Sequence, residues 1–279
     1  MKKGDLRSLL EMHGLRPNAR FGQNFLVDPA LLKRIPEDAG VQAGDHVLEV
    51  GPGAGALTFE LLAIGAKVCA VELDRGLASL LRERFAEDLS SGQLQLIEGD
   101  ALDKNEKLHP AVEAWWQQLE APPRLVANLP YSISGPFLAR LPGRSLAGAT
   151  LLLQREVADK AAGPKGNDEW SPLSIRLALA FDAHVGRRLP PEVFWPRPTI
   201  DSAFLHLTPR ADALPGELDA QLRLVLREAF GQRRKRLLSR LRKKMPEWAT
   251  ALEACEVGPD SRPGEVGPQI WRAALHRLD

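Results

Sequence analysis

Residues 47–58, VLEVGPGAGALT, decide the fold of this 279-residue chain. An apolar run leads into three glycines, Gly51, Gly53 and Gly55, and a segment of helical pattern follows. This order predicts a β-strand, a tight turn and the start of an α-helix. Glycines let a backbone approach a ligand closely, and the first N–H groups of a helix can bind an anion. The segment therefore predicts a ligand-binding loop at a strand end, with a turn that binds nothing as the alternative.

Short apolar runs alternate with amphipathic segments, such as Gly76–Phe85, through the first two-thirds of the chain. This alternation predicts an α/β fold, a sheet whose parallel strands are joined by right-handed helical crossovers. The predicted strands are His46–Val50, Ala66–Leu73, Leu94–Ile97, Arg124–Ala127, Ala149–Leu153 and, after a proline-rich elbow, Ala203–Leu207.

Strand patterns stop after a linker-like segment near residues 208–215. The remaining segment is helical in pattern and carries the densest positive charge of the chain. We therefore expect an α/β domain at residues 1–210 and a small helical domain, rich in positive charge, at residues 211–279.

Acidic side chains accompany three consecutive predicted strands. Glu49 precedes the glycine loop, Glu72 ends the next strand, and Asp100 follows the third. Open α/β sheets bind ligands at the carboxyl ends of their strands, where an acid about 20 residues after the loop can accept hydrogen bonds from ribose hydroxyls. Several carboxylates around one nucleoside favour a cationic cofactor, S-adenosylmethionine, over an anionic pyrophosphate. Gly51, Gly53 and Ala56 also satisfy the dinucleotide pattern, so an NAD-dependent dehydrogenase remains an alternative here.

The tetrapeptide Asn128-Leu129-Pro130-Tyr131 follows the fourth predicted strand and contains the only tyrosine of the chain. The exocyclic amine of adenine is a poor nucleophile because its lone pair is delocalised into the ring. Acceptors such as the Asn128 side chain and the Leu129 carbonyl favour the pyramidal nitrogen on which charge develops during methyl transfer. Pro130 fixes the turn, and Tyr131 offers a face on which an extruded base can stack. The tetrapeptide therefore predicts adenine N6 methylation without a strong base.

These motifs, with others, carry a family resemblance that spans nearly the whole chain in order. They are Arg20–Leu26, Glu49–Gly53, Gly99–Ala101, Asn128–Tyr131, Leu153–Ala158, Val193–Pro198, Asp201–Ala203, Phe230–Lys235 and Pro268–Trp271. In them the chain closely resembles the ribosomal RNA adenine N6-dimethyltransferases that act on small-subunit RNA. The resemblance implies a class I, Rossmann-like methyltransferase fold with a small helical C-terminal domain. It also implies dimethylation of two adjacent adenines near the 3′ end of that RNA during ribosome biogenesis.

The resemblance further implies roles for individual residues. S-adenosylmethionine would be contacted by Asn24, Leu26, Gly51, Gly53, Glu72, Asp100 and Asn128. The target adenine would be held by Asn128, Leu129 and Tyr131, with Phe194 as a second aromatic; an aromatic that only fills the elbow is the alternative for Phe194. The chain departs from the commonest family pattern at Ser132 and Gly135 beside the tetrapeptide, and at Trp195 and Arg197 in the elbow.

A basic run in the C-terminal segment predicts where the RNA lies. Arg233–Lys244 contains no acid, and on one helix Arg233, Arg236, Arg240, Lys243 and Lys244 would share a face. A solvated helix face is the alternative. Such a stripe is typical of phosphate binding. It explains how a chain with 37 basic and 36 acidic residues, and a formal net charge of +1, can bind nucleic acid locally.

Composition excludes disordered, collagen-like and coiled-coil proteins. The two cysteines, Cys69 and Cys255, lie too far apart in sequence for a disulfide framework, and no apolar signal segment or membrane span is present. We therefore expect a reduced, cytoplasmic protein without a membrane partner. The six histidines show no metal-ligand spacing, so we expect no metal. We also expect a monomer whose partner is an immature small ribosomal subunit.

Two further hypotheses remain open at this level. A large-subunit adenine methyltransferase of the type that confers macrolide resistance shares the general motif order. A mainly non-catalytic ribosome assembly factor could retain the fold and bind RNA without depending on methyl transfer.

Overall fold

The computed structural model of the chain describes residues 1–18, 21–105, 107–164 and 169–278. The strands are β1 Phe25–Leu26, β2 His46–Val50, β3 Lys67–Glu72, β4 Leu94–Glu98, β5 Arg124–Asn128, β6 Gly148–Gln154, β7 Phe181–Leu189, β8 Phe194–Trp195 and β9 Ser202–Pro209. The α-helices are α1 Lys3–Met12, α2 Pro29–Asp38, α3 Ala56–Ala63, α4 Arg75–Arg84, α5 Ala86–Ser91, α6 Pro110–Gln117, α7 Ser134–Leu138, α8 Arg155–Ala161, α9 Pro172–Ala180, α10 Gly216–Phe230, α11 Leu237–Lys244, α12 Pro246–Glu253 and α13 Pro268–Leu275.

Seven strands form one sheet in the order β4-β3-β2-β5-β6-β9-β7. Strands β4, β3, β2, β5 and β6 pair in parallel, and β9 runs antiparallel to β6. The chain moves outward from β2 to β4 and then returns to place β5 on the other side of β2. Neighbouring loops therefore diverge above β2 and β5, which opens a crevice at their carboxyl ends. The predicted α/β, Rossmann-like fold is confirmed.

The central strands are nearly continuous apolar runs because both faces of a parallel sheet are covered. Val47, Leu48, Leu125 and Val126 are completely buried. Helices α2 and α3 pack on this sheet through leucines of the same core. The predicted strands all form, and their observed ends differ from the predicted ends by no more than two residues. Their apolar patterning was therefore sufficient to locate them.

Three strands were not predicted. Strand β7 contains Gly186, Arg187 and Arg188 and alternates only weakly between buried and exposed residues, as edge strands do. Strands β1 and β8 have two residues each and pair antiparallel, with Phe25 opposite Trp195 and Leu26 opposite Phe194. A two-residue strand defined by a partner 168 positions away, as between Leu26 and Phe194, leaves no local pattern in the sequence.

The chain divides into two compact units, which differ from the expected division at residue 210. The first unit comprises residues 1–137, 145–158 and 185–207, and the second comprises 138–144, 159–184 and 208–279. The second unit therefore contains α9 in addition to α10–α13. Ile175 and Leu179 of α9 belong to its buried core, together with Trp248 and Trp271. Within the described ranges, no helix combines the length and the apolar character that crossing a bilayer requires.

The basic run does not form the single helix that was predicted. Helix α11 begins only at Leu237, and Arg233–Arg236 lie in the turn before it. The reason is tertiary: the Leu237 N–H donates to the carbonyl of Ser261 at 2.8 Å, which sets the start of the helix. Arg233 and Arg236 therefore share no helical face with Arg240. The predicted apolar arc, Leu237, Leu238 and Leu241, is buried.

A buried ion pair links helices α9 and α10 of the second unit. Arg176 of α9 donates to Asp219 of α10 through Nε at 2.9 Å and Nη2 at 2.6 Å, and its Nη1 donates to the Ala139 carbonyl at 2.9 Å. Both side chains are almost completely removed from solvent. A bidentate pair that also satisfies a third donor can offset the cost of burying two charges.

We expect Asp219→Ala to lower the free energy of unfolding by about 3–5 kcal/mol, because it leaves the Arg176 guanidinium buried without its carboxylate. Urea unfolding followed by circular dichroism measures this change. Asp182→Ala removes an exposed partner of Arg210 in the same unit and serves as the control, with little expected change. Equal effects of the two substitutions would contradict the assigned role of the buried pair.

Candidate active site

The glycine loop is held by the carboxylate that ends the neighbouring strand. The Gly53 N–H donates to Glu72 Oε2 at 2.9 Å, and the Asp74 N–H donates to Glu72 Oε1 at 2.8 Å. Gly51 and Gly53 have φ of 72° and 60°. A Cβ on Gly53 would lie 2.8 Å from the Phe25 ring, and a Cβ on Gly51 would lie 2.9 Å from Pro130. Glycine is therefore required at both positions by conformation and by space.

A cavity of about 220 Å³ opens at the carboxyl ends of β2, β3 and β5. Its walls come from the segment before β1, from the glycine loop, from the ends of β3 and β4, and from the tetrapeptide. Nine of the ten predicted site residues line it: Asn24, Leu26, Gly51, Gly53, Glu72, Asp100, Asn128, Leu129 and Tyr131. The structure thus brings the predicted cofactor residues and three of the predicted adenine-binding residues into one cavity.

Two buried carboxylates lie at this cavity. Burial raises the pKa of Glu49 to about 8, and the nearby charge of Glu72 adds to the rise, while the hydrogen bond from Thr58 Oγ1 at 2.7 Å opposes it. Burial also raises the pKa of Glu72 to about 7, against the N–H donors of Asp74 and Gly53. Both acids therefore hold protons at pH values where exposed carboxyls are ionised. A cation in the cavity would stabilise their charged forms.

The tetrapeptide presents two hydrogen-bond acceptors at the cavity. Asn128 Nδ2 donates to the Asn24 carbonyl at 3.0 Å, which fixes the amide and leaves its oxygen as an acceptor. The Leu129 N–H donates to the Leu152 carbonyl at 3.1 Å, which fixes the peptide before Pro130. Neither Asn128 Oδ1 nor the Leu129 carbonyl receives a hydrogen bond from the residues that the structure describes. These acceptors can bind a donor such as an exocyclic amine.

Tyr131 lies beside these acceptors and begins a short 3-10 helix. Its ring is half-buried, and its hydroxyl oxygen lies 2.7 Å from Ser202 Oγ. Burial raises the pKa of this hydroxyl, with the Ser202 hydrogen bond opposing the rise, so the phenol remains protonated at neutral pH. The ring therefore contributes an uncharged surface to the cavity.

Phe194 differs from the other predicted site residues. It is 3% exposed, belongs to the core of the first unit and does not line the cavity. This position is the one expected under the alternative hypothesis for Phe194, in which the aromatic ring only fills the elbow. The two departures beside the tetrapeptide have different surroundings: Ser132 lines the cavity, whereas a Cβ on Gly135 would meet no atom of the described residues within 4 Å.

Sequence reasoning missed some residues of the cavity wall. Leu73 follows Glu72 and is 44% exposed, an unusual position for a leucine at a strand end. Gln23 donates to Asp74 Oδ2 at 3.0 Å and thereby ties the segment before β1 to the end of β3. Phe25 packs on Gly53. An apolar residue directly after the strand-terminal acid was the available signal for Leu73; the roles of Gln23 and Phe25 depend on tertiary contacts.

The second unit contains a separate basic surface, which we define as the basic concavity. It encloses about 610 Å³ and is lined by Gln232, Arg234, Lys235, Arg236, Ser239, Arg240, Lys243, Lys244, Asp260 and Arg262. Although the run 233–244 contains no acid, other segments supply acids to it. Arg236 pairs with Asp260 at 3.0 Å, Arg240 lies 2.8 Å from the Glu228 carboxylate, and Arg242 pairs with Glu253.

Fewer basic side chains of this run are therefore free of an acidic partner than the sequence indicated. Among the described residues, no acid pairs with Arg234, Lys235, Lys243 or Lys244. These four side chains all line the basic concavity. The sequence also indicates a second, weaker basic patch at the N-terminal residues Lys2, Lys3, Arg7, Arg16 and Arg20, of which Arg20 lies outside the described residues.

Comparison with known proteins identifies relatives over most of the chain. The family model for ribosomal RNA adenine dimethylase matches residues 14–262. A protein from Magnetococcus marinus named ribosomal RNA small subunit methyltransferase A is 41% identical over 247 residues, which cover 88% of this chain and 85% of that protein. A protein of the same name from Opitutus terrae is 36% identical over 276 residues, which cover 96% and 95% of the two chains.

Solved structures share the fold. The crystal structure of the 23S rRNA methyltransferase ErmE matches with a TM-score of 0.65 and 27% identity, covering 92% of this chain and all of that one. A dimethyladenosine transferase from Plasmodium falciparum matches with a TM-score of 0.69 and 23% identity, covering 91% and 97% of the two chains. At this identity the second likeness bears on the fold alone.

The raised pKa values of Glu49 and Glu72 predict that stability of the ligand-free protein falls as pH increases. The folded state binds more protons than the unfolded state between the ordinary pKa of glutamate and about pH 8, so raising pH through this interval favours unfolding. We expect Glu49→Gln to flatten the decrease in melting temperature between pH 5.5 and pH 8.5. Glu60→Gln is the control, since Glu60 lies on α3 and does not line the cavity, and this substitution should preserve the wild-type slope. An unchanged slope in Glu49→Gln would contradict the assignment.

Proposed function

Because the chain belongs to the ribosomal RNA adenine dimethylase family, we propose that it dimethylates N6 of two adjacent adenines near the 3′ end of small-subunit ribosomal RNA. The observation that carries this proposal is the pair of acceptors, Asn128 Oδ1 and the Leu129 carbonyl, at a cavity lined by buried acids. The small-subunit target is supported by relatives with that name at 36–41% identity over most of their length.

The cofactor side of the cavity fits S-adenosylmethionine. Glu72 ends β3 with one N–H on each oxygen, and a carboxylate has about four lone-pair positions, so it can still accept hydrogen bonds from ribose hydroxyls. The exposed side chain of Leu73 offers an apolar surface to a flat base. The raised pKa values of Glu49 and Glu72 favour a cationic ligand, whose charge would return both groups to their ionised forms. When bound, S-adenosylmethionine supplies an electrophilic methyl group on its sulfonium.

The substrate side of the cavity activates the amine through hydrogen bonds. Asn128 Oδ1 and the Leu129 carbonyl each accept one N–H of adenine N6, which favours the pyramidal nitrogen that attacks the methyl carbon. Tyr131 stacks on the extruded base, a contact worth about 1–3 kcal/mol per base. The methylated nitrogen loses its proton to water, since no base is needed for so acidic a group. A second transfer requires only that the monomethyl amine can re-enter beside the same acceptors.

RNA binding is the proposed role of the basic concavity. Among the described residues, Arg234, Lys235, Lys243 and Lys244 line this surface without an acidic partner. Such cations attract a phosphate backbone, and these contacts position RNA without reading its sequence. Residues 1–210 would then supply the chemistry, and residues 211–279 would supply the affinity for RNA. Helix α9 belongs to the same compact unit as residues 211–279. We further propose that the enzyme acts as a cytoplasmic monomer.

Large-subunit methylation is the second candidate function. It is favoured by the likeness to ErmE at 27% identity over the whole of that chain. The higher identity to small-subunit enzymes weighs against it. Presenting undermethylated small and large subunits separately to the enzyme distinguishes the two, because the methylated nucleotide identifies the target.

We expect Asn128→Ala to lower the rate of methyl transfer about 10²–10³-fold, because it removes an acceptor that acts on the developing charge. The measurement is transfer of labelled methyl groups to undermethylated small subunits, with dimethyladenosine identified by mass spectrometry of the digested RNA. Asn105→Ala, an exposed loop asparagine of the same unit, is the control and should retain wild-type activity.

Full activity of Asn128→Ala would exclude the proposed chemistry. Absence of dimethyladenosine with the wild-type enzyme would exclude the proposed function itself. If Asn128→Ala is inactive but fully restores subunit maturation in cells, RNA binding rather than methylation is the essential role.

We expect the double substitution Lys243→Gln and Lys244→Gln to weaken RNA binding while leaving the affinity for S-adenosylmethionine unchanged. Two lost phosphate contacts should reduce the slope of log Kd against log salt by about 1–2. Fluorescence anisotropy with a labelled small-subunit RNA fragment, repeated over a range of salt concentrations, measures this slope.

The matched control is Arg223→Gln with Arg227→Gln, which removes the same charge from exposed positions of α10 outside the basic concavity. Equal loss of slope in the two double variants would show that net charge, rather than this surface, determines RNA affinity.

A further inference from the structure

Ser202 contacts the catalytic tetrapeptide although its motif, Asp201-Ser202-Ala203, has no role in the proposed chemistry. The residue is 0% exposed and begins strand β9. Its Oγ lies 2.7 Å from the hydroxyl oxygen of Tyr131, and the two hydroxyls share a hydrogen bond across 71 positions of sequence. Ser202 is therefore the point at which the sheet holds the tip of the tyrosine ring.

The backbone around Ser202 is fixed by the sheet. Ser202 lies opposite Gln154 in the antiparallel pairing of β6 and β9. One residue away, the Arg155 N–H donates to the Asp201 carbonyl at 3.0 Å, and the Arg155 guanidinium lies 3.8 Å from the Asp201 carboxylate. A hydroxyl in such surroundings has little freedom to follow a moving partner.

The opposite end of Tyr131 is also held. Its neighbour Pro130 accepts hydrogen bonds from the Ile133 N–H at 3.1 Å and from the buried Ser134 hydroxyl at 3.0 Å. Tyr131 thus has a fixed backbone and a fixed hydroxyl, while its half-buried ring still lines the cavity. The hydroxyl bond removes ring orientations that the backbone alone would permit.

We infer that Ser202 is a positioning residue that fixes the orientation of Tyr131, so that a stacked adenine presents its amine to Asn128 and Leu129. The inference rests on the proposed function and adds to it a reason for tyrosine at this position. Phenylalanine offers a similar face for stacking but no hydroxyl for Ser202. A pre-oriented stacking surface keeps reacting atoms in the attack geometry and avoids the entropic cost of ordering the ring after the base binds.

The test is a double-mutant cycle with Ser202→Ala and Tyr131→Phe, measured in single turnovers with saturating S-adenosylmethionine. Each single variant loses the same hydrogen bond, so each should lower the methyl-transfer rate by a similar factor, about two- to tenfold. The double variant should be no slower than either single variant, because residues that act through one contact are not additive. The Km for S-adenosylmethionine should not change.

Because Tyr131 is the only tyrosine, ¹³C labelling at Cζ gives a single nuclear magnetic resonance signal that reports its hydroxyl bond directly. Ser202→Ala should shift this signal, and Ser202→Thr, which retains the hydroxyl, should restore both the signal and the rate. The control is Thr150→Val, which removes another buried hydroxyl of the same sheet, one that lies 3.1 Å from His206 Nδ1. It should leave signal and rate unchanged.

Additive losses in the double variant would overturn the inference, since they would show that Ser202 acts on the sheet and not through Tyr131. Wild-type rates in Ser202→Ala, or in Tyr131→Phe if Ser202→Ala does not fold, would overturn it as well. A wild-type enzyme that forms no dimethyladenosine would instead refute the proposed function. The two failures are distinguishable, because the resonance shift does not depend on activity.

Discussion

The geometry of the site depends on the two hydrogen bonds that the Glu72 carboxylate accepts. Its two oxygens accept the N–H groups of Gly53 and Asp74, so one side chain joins the loop after β2 to the turn after β3. The glycine loop in turn contacts Pro130 through Gly51 and Phe25 through Gly53, which adds the tetrapeptide and the segment before β1. Burial makes ionisation of this carboxylate costly, and a cation bound in the cavity would offset that cost.

The proposed chemistry at the tetrapeptide depends on which of its polar atoms already have hydrogen-bond partners in the protein. The Asn128 amide nitrogen and the Leu129 N–H are both engaged by backbone carbonyls, so the acceptor oxygens remain for a ligand. A site that instead satisfied these oxygens internally would be more stable and could not activate an amine. In the proposed chemistry these two free acceptors are what the site offers to the amine, and neighbouring donors that the fold keeps occupied hold them in place.

The sequence predicted the central sheet well because buried parallel strands leave continuous apolar runs, such as His46–Val50. Nine of the predicted site residues line one cavity. The glycine loop, the strand-terminal acids and the tetrapeptide are local signals, whereas Asn24 and Leu26 were predicted only from the family resemblance. Phe194 was the exception: its motif is local, but its burial is decided by the packing of β8 against β1. The basic run failed as one helix for a similar reason, because the start of α11 is set by the hydrogen bond from the Leu237 N–H to the Ser261 carbonyl, a partner in another segment.

The pairing of β1 with β8 limits how this fold can be recombined. Phe25–Leu26 forms part of the cavity wall, and Phe194–Trp195 forms the elbow that returns the chain to β9. The Val27 N–H extends the pairing by donating to the Val193 carbonyl at 2.9 Å. These two segments, far apart in the sequence, therefore depend on each other for their structure. A chimaera built with a related enzyme has to exchange both segments together, since either one alone would meet a partner with which it did not evolve.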